Sequence, residues 1–306
     1  MGSQTIKRFF RFVEIETKLA TVIPCLTALA YVFYTTGSIN IISMVYYFIA
    51  ALFLDMSVTA INNHIDKRED KSQTPHFSDV TSLLTISVML VIFISLGLYL
   101  AYLHGLTVFL AGAFCLFAGV TYTFGPAPIS KSPYGEIVSG FVAGTVIMFI
   151  VVSINNPDFT PLGLVFDETA LRLSMDIDLI GLAGFALITV PAAFCTANIM
   201  LANNICDAER DRQFRFTIVH QLGRKNALYL FAALYFASYA AIIAASLLGL
   251  IPLWCLSTLA TIPIVLKNIR LFYKEQKKHT TFLLAIKNFM VIMLVYMLSI
   301  TLGGLI

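Results

Sequence analysis

Apolar runs of about 20 residues recur along the chain, separated by short polar punctuation. A helix rising 1.5 Å per residue needs a run of about that length to cross the ~30 Å hydrocarbon core of a bilayer. The pattern predicts nine such helices, at 19–37, 41–62, 82–103, 106–124, 135–154, 179–202, 226–247, 250–267 and 283–304. Gly, Pro and Asn mark the breaks, and Gly37-Ser38, His104-Gly105 and the stretch from Gly249 to Pro252 are short enough for helical hairpins. Ahead of the first run, Lys7-Arg8-Phe9-Phe10-Arg11-Phe12-Val13 alternates basic and aromatic residues. That alternation predicts an interfacial amphipathic segment rather than a cleavable signal peptide.

Composition sharpens the picture. Hydrophobic residues make up 58% of the 306, charged residues 12%, and the mean hydropathy is +0.85. A soluble domain carries roughly 25% charged residues, so this chain reads as an all-α membrane protein. The net charge of +3 gives no case for a nucleic-acid partner. The five cysteines form no CxxC or Cys/His cluster and read as small apolar packing residues. Basic residues are strongly segregated. Of the 20 Lys and Arg, only Arg172 falls in the long loop 155–178; the other 19 fall at the opposite ends of the runs. The positive-inside rule then places the N-terminus in the cytoplasm and the C-terminus outside.

Two polar motifs break the pattern at equivalent places. Asn62, Asp66 and Asp70 close the second run, and Asn203, Asp207 and Asp211 close the sixth. Spacing of four sets successive members on one helical face. The runs divide into two sets of four, about 19–124 and 135–267, with a ninth outside this weak repeat, all within a single domain spanning 1–306. Four carboxylates and two amides without His or Cys suit Mg²⁺, which takes few protein ligands and keeps positions for phosphate oxygens. A diphosphate is the implied partner. The plainer alternative, carboxylates solvated at helix ends, leaves the matched Asn offset unexplained.

Lys67 and Arg68 intrude on the first motif and Arg210 and Arg212 on the second, and Tyr122 to Lys131 carries a Gly125-Pro126-x-Pro128 turn. Cations there would hold a diphosphate and ease its departure; the positive-inside bias accounts for them equally well. Tyr122 and Lys131 are candidates to stand over the same opening. Asp55 lies two turns before Asn62 on the same face, followed by Thr59. It is a candidate contact for an aromatic substrate or, alternatively, a helix–helix contact. His64 and His220 are secondary acid/base candidates, and Thr196 and Asn198 suit interhelical bonds.

The paired Asn-x-x-x-Asp-x-x-x-Asp motifs and nine runs resemble the UbiA superfamily of intramembrane aromatic prenyltransferases. Glu14-Ile15-Glu16-Thr17-Lys18 leading to Pro24, Tyr122-Thr123-x-Gly125-Pro126-x-Pro128, Gly135-Glu136 and Asn203-Asn204-x-x-Asp207 are similar to its 1,4-dihydroxy-2-naphthoate polyprenyltransferases of menaquinone synthesis. An Arg-Pro pair common before the first span is absent, and Phe214-Arg215-Phe216-Thr217-Ile218 replaces the commoner Gly-Lys/Arg-x-Thr-Leu form. The resemblance implies nine helices around a lipid-open central cavity in a bacterial-type cell membrane. It implies Mg²⁺-diphosphate held by Asn62, Asp66, Asp70, Asn203, Asp207 and Asp211. Asp66, Asp207 and Lys131 become the candidate catalytic residues, with Lys67, Arg68, Tyr122, Lys131, Arg210 and Arg215 around the diphosphate. The expected reaction transfers a polyprenyl group from polyprenyl diphosphate to an aromatic acid acceptor, here dihydroxynaphthoate with decarboxylation to demethylmenaquinone. A 4-hydroxybenzoate acceptor is the nearest alternative. A cation-coupled transporter is the alternative from another class, but its carboxylates would sit near the bilayer midplane.

Overall fold

The computed structural model describes residues 2–69, 77–156, 161–167, 172–212 and 215–306. Side chains at 2, 3, 16, 66–69, 166 and 167 lie outside the description. Among the described residues, nine helices are long and apolar enough to cross a membrane.

A short helix α1 (Gly2–Phe12) precedes the first four spans: α2 (Leu19–Thr36), α3 (Ile41–Glu69), α4 (Asp79–His104) and α5 (Leu106–Thr123). The fifth span is composite: α6 (Gly135–Gly140), a π-helical stretch (Phe141–Val146) and α7 (Ile147–Asn155). The sixth and seventh spans are α8 (Leu179–Asp211) and α10 (Arg224–Leu247), with the short α9 (Ile218–Leu222) between them. The eighth opens as a 3₁₀ helix (Leu253–Thr261) and continues as α11 (Ile262–Lys274); α12 (Phe282–Leu305) is the ninth. Gly37 and Gly105 take φ of +68° and +86° at two of the tight turns, a region that costs glycine nothing.

Two features go beyond the hydropathy pattern. The loop 155–178 contains an antiparallel hairpin, β1 (Leu162–Asp167) with β2 (Arg172–Ile177), in the register Leu162 opposite Ile177. Thr107 at the start of α5 anchors it, its Oγ1 accepting from the Leu164 amide at 3.0 Å. The amphipathic N-terminal segment is also fastened inward. Phe12 and Val13 are buried and cluster with Ala60 of α3 and with Ile86 and Met89 of α4.

The helices pack as two groups. In the first, α3 lies against α4 and α5; in the second, α8 lies against α10, α12 and the fifth span, while α2 bridges α12 and α7. The second group, with α11 packed on α12, holds most of the largest buried side chains, among them Phe231, Tyr235, Phe272, Phe289 and Tyr296. Outward-facing positions are apolar too: Leu84, Val91, Phe117, Ile180 and Leu298 are all more than half exposed. Distributed over every span, that surface would be a severe liability in water; among lipid tails it is the ordinary exterior of an integral membrane protein.

Close backbone contact fixes the fifth span against α8. A Cβ on Gly144 would stand 2.2 Å from Ala193 Cα, and one on Gly140 would stand 2.5 Å from the Ala193 carbonyl oxygen. Small residues allow this approach, as they do generally between membrane helices. The contact sets the height of α6, and with it the polar residues at the mouth described next.

Candidate functional site

Helix α8 does not stop at the end of its apolar run but continues through Asp211. The three members of the second motif therefore lie on one helical face, as their spacing predicts. Asp207 and Asp211 are buried and Asn203 is half-buried. A carboxylate so placed needs strong compensation, and three cations supply it. Lys278, from the turn between α11 and α12, places Nζ 2.7 Å from Asp207 Oδ2 and donates a second bond to Asn203 Oδ1. Arg210 lies 3.2 Å from Asp207 Oδ2 and 3.3 Å from Asp211 Oδ1. Arg215 approaches Asp211 Oδ2 at 3.9 Å.

Helix α3 likewise runs past its apolar segment, to Glu69, so Asn62 and Asp66 share one helix. The side chains of Asp66, Lys67 and Arg68, and Asp70 altogether, lie outside the described residues. Asn62 Oδ1 accepts a bond from Thr123 Oγ1 at 3.4 Å, at the end of α5. Asn63 donates to the Phe12 carbonyl at 2.9 Å and to Glu14 Oε1 at 3.3 Å, tying the N-terminal segment to this end of α3.

The turn between α5 and α6 connects the surroundings of the two motifs. Thr123 at its start bonds Asn62, while the neighbouring Tyr122 lies within electrostatic reach of both Glu136 and Arg215. Glu136 is buried, and its Oε1 accepts from Asn204 Nδ2 at 2.7 Å. The Lys131 carbonyl accepts from the Phe216 amide at 3.0 Å, pinning the turn to the segment after the second motif. Tyr122, Lys131, Arg210, Arg215 and the second motif are thus gathered at one end of the bundle.

Asp55 has a different setting. Its Oδ1 binds Lys18 Nζ at 2.7 Å and its Oδ2 accepts from Thr21 Oγ1 at 2.6 Å; Lys18 also reaches Thr59 at 2.6 Å. Of the two readings that the sequence left for Asp55, the contact between helices is the one this geometry displays. His220 caps its own short helix: Nδ1 lies 3.0 Å from Thr217 Oγ1 and Nε2 lies 2.9 Å from the Ala208 carbonyl. Asn198 donates to the Phe231 carbonyl at 3.0 Å, the interhelical bond its position predicts.

Lys278 escaped the sequence reading because it stands in a basic turn where topology alone explains a lysine. Its distance of 71 residues from Asp207 leaves no periodic signal. The Glu136–Asn204 pair was hidden for the same reason, though each residue belongs to a segment that carried the family resemblance.

The UbiA prenyltransferase family matches residues 21–296. The 1,4-dihydroxy-2-naphthoate octaprenyltransferase of Bacillus subtilis (strain 168) is 28% identical over 184 residues. That match covers 60% of this chain and 52% of the relative, about half its length. Two solved structures share the fold. A UbiA homolog from Archaeoglobus fulgidus bound to GPP and Mg²⁺ aligns with a TM-score of 0.65 at 14% identity, over 98% of this chain and all of that one. A UbiA homolog from Aeropyrum pernix K1, in its apo state, aligns with a TM-score of 0.65 at 17% identity, over 92% and 96% of the two chains. A family match over most of the chain establishes that the protein belongs to the UbiA prenyltransferase family.

Proposed function

We propose that the protein transfers a polyprenyl group from polyprenyl diphosphate to an aromatic acid acceptor, with 1,4-dihydroxy-2-naphthoate as the preferred acceptor. The observation that carries this reading is the convergence of Asn203 Oδ1 and Asp207 Oδ2 on a single cation, the Lys278 ammonium. That shared cation position lies beside Arg210 and Arg215 in a family of prenyltransferases. The Bacillus relative supports the naphthoate acceptor.

Mg²⁺ is tested by the donor set. Among the described residues no group of three or more His, Cys, Asp or Glu side chains forms a closed cage. An amide and a carboxylate oxygen converging on one cation, with Asp211 a turn away, form the open oxygen set that Mg²⁺ accepts when phosphate oxygens complete its shell. The residues fit. Asn62, Asp66 and Asp70 on one side, and Asn203, Asp207 and Asp211 on the other, would hold the ion, which neutralises diphosphate charge when bound. Grouping the spans into halves at about 19–124 and 135–267 within one domain would bring the motifs to face each other.

The chain's own residues then do the following. Lys67, Arg68, Lys131, Arg210 and Arg215 bind the outer diphosphate oxygens, and Tyr122 donates from the end of α5. As the allylic C–O bond breaks, its electron pair leaves with the diphosphate, and these donors stabilise the added charge. The apolar bundle excludes water from the allylic cation. A ring carbon of the acceptor supplies the electrons for the new C–C bond. With dihydroxynaphthoate the carbon attacked is the one bearing the carboxylate, and loss of CO₂ restores the aromatic ring. The immediate product is demethylmenaquinone in its quinol form, because substitution involves no net oxidation. The Lys18–Asp55–Thr21 cluster braces α2 against α3 behind the first motif.

The charge distribution supports a site facing the cytoplasm of a bacterial-type cell membrane, with the N-terminus on that side and the C-terminus outside. The test is parallel incubation of purified protein with Mg²⁺, a prenyl diphosphate and either dihydroxynaphthoate or 4-hydroxybenzoate, followed by mass spectrometry. A prenylated product lacking the mass of CO₂ is expected from the naphthoate. Prenylated 4-hydroxybenzoate alone would reassign the acceptor, and no product from either, across several chain lengths, would overturn the reaction.

A further inference from the structure

Lys278 holds a position that neither the motif spacing nor the family match assigns. It stands in the turn 275–281, outside both motifs, yet its ammonium makes the shortest-range contacts to the second one. Nζ lies 2.7 Å from Asp207 Oδ2 and donates to Asn203 Oδ1, and it sits 5.2 Å from the centre of the Phe282 ring. Three groups thus converge on one charge: a carboxylate, an amide oxygen and the face of an aromatic ring. The ring adds attraction for a cation as a whole rather than for a particular hydrogen-bond geometry.

The oxygens involved are those at which a divalent ion is expected. A metal ion bound at about 2.1 Å to Asp207 Oδ2 and an ammonium at 2.7 Å from the same atom compete for one region of space and one negative charge. Two cations packed together there would repel strongly in a site of low dielectric, so one must leave. Lys278 can leave. Its side chain is 37% exposed, against 8% for Asp207, and it projects from a turn between α11 and α12 rather than from a packed helix. The turn's own bonds are local, among Lys277, Thr280, Thr281 and Phe282. A displaced ammonium stays near the mouth, within reach of any diphosphate that arrives with the metal.

We propose that Lys278 is a resident counter-cation that occupies the metal position of the second motif in the substrate-free protein and transfers to the diphosphate when metal and substrate bind together. The proposal rests on the reading of the mouth as a metal–diphosphate site. Free metal gains little by displacing the lysine, because the ammonium then loses its partners. Metal accompanied by diphosphate offers the ammonium new oxygens, and the exchange becomes favourable. Lys278 therefore couples metal entry to substrate entry, first as the occupant of the metal position and then as a contact of the diphosphate. A simple fastening of the turn to α8 predicts no such coupling.

The two accounts separate on metal binding without substrate. Mn²⁺ serves as the spectroscopic probe, titrated by electron paramagnetic resonance into detergent-purified wild type, Lys278→Met and Lys278→Arg. Without diphosphate, Lys278→Met is expected to bind Mn²⁺ about tenfold more tightly than wild type, and Lys278→Arg to bind as weakly as wild type. With Mn²⁺ and a non-reactive thiolo analogue of geranyl diphosphate, the order reverses, Lys278→Met binding the analogue about tenfold more weakly. Lys278→Gln replaces Lys278→Met if the latter does not fold. Equal Mn²⁺ affinity in wild type and the neutral variant overturns the proposal, and so does loss of analogue binding without the gain in metal binding. If wild type binds no analogue while the gain in Mn²⁺ affinity persists, the prenyl reading falls and Lys278 remains the occupant of a metal site.

Discussion

Asp207 is a buried carboxylate with two cations on the same oxygen, Lys278 at 2.7 Å and Arg210 at 3.2 Å. Its charge is the feature that Lys278 and Arg210 share, so Asp207→Asn should lower turnover by about 100-fold or more. The folded protein should survive, because both cations retain solvent access; steady-state rates beside a thermal unfolding profile check both halves of that statement. Asp55 predicts the opposite separation. Replacing it with Ala strands Lys18, which is only 3% exposed, at a stability cost of about 3 kcal/mol. The double variant Asp55→Ala/Lys18→Met should recover most of the loss, which thermal unfolding in detergent reads directly. The motif residues were legible in the sequence because four-residue spacing is a local property of a helix. Lys18 with Asp55, and Lys278 with Asp207, were not, because partners 37 and 71 positions apart are chosen by packing and leave no local trace.

The spans were legible almost to their ends, since bilayer thickness imposes both length and polarity on them. The apolar runs end at 62 and 202, whereas the helices continue to Glu69 and Asp211, as motif spacing of four on one helical face expects. A helix persists beyond its apolar stretch when the polar turns that follow find partners, and the bonds of Asn63 and Asp207 are such partners. The hairpin at Leu162–Ile177 lies in the segment that the sequence presents as a long loop, and a bond from the Leu164 amide to Thr107 ties it to α5. The π-helical stretch was equally silent in sequence, although Gly144 within it lies where a side chain would meet the α8 backbone. Gly144→Ala must push the fifth span away from Ala193 and should cost about 1–3 kcal/mol. Gly97→Ala in α4 meets nothing within 4 Å and should be neutral or mildly stabilising, by up to about 1 kcal/mol. Paired melting curves in one detergent decide whether close packing, rather than glycine content, holds the fifth span in place.

At the scale of the whole molecule, two helix groups are joined at the mouth by the turn from Thr123 to Glu136, whose residues meet Asn62 on one side and Asn204 on the other. Nine spans among the described residues, with 19 of 20 basic residues on one set of ends, predict opposite sides for the two termini. Alkaline phosphatase fused to the C-terminus should be active in bacteria, and green fluorescent protein fused there should stay dark; the reverse pattern would invert the orientation. The central claim is that both Asn/Asp motifs serve one metal–diphosphate site. The direct measurement is Mg²⁺-dependent binding of a non-reactive prenyl thiolodiphosphate, by calorimetry, to wild type, Asp66→Asn and Asp207→Asn. One analogue bound per chain in wild type, with affinity lost in either variant, is the predicted result. Two independent sites, each lost with only one variant, or binding that survives either change, would contradict it.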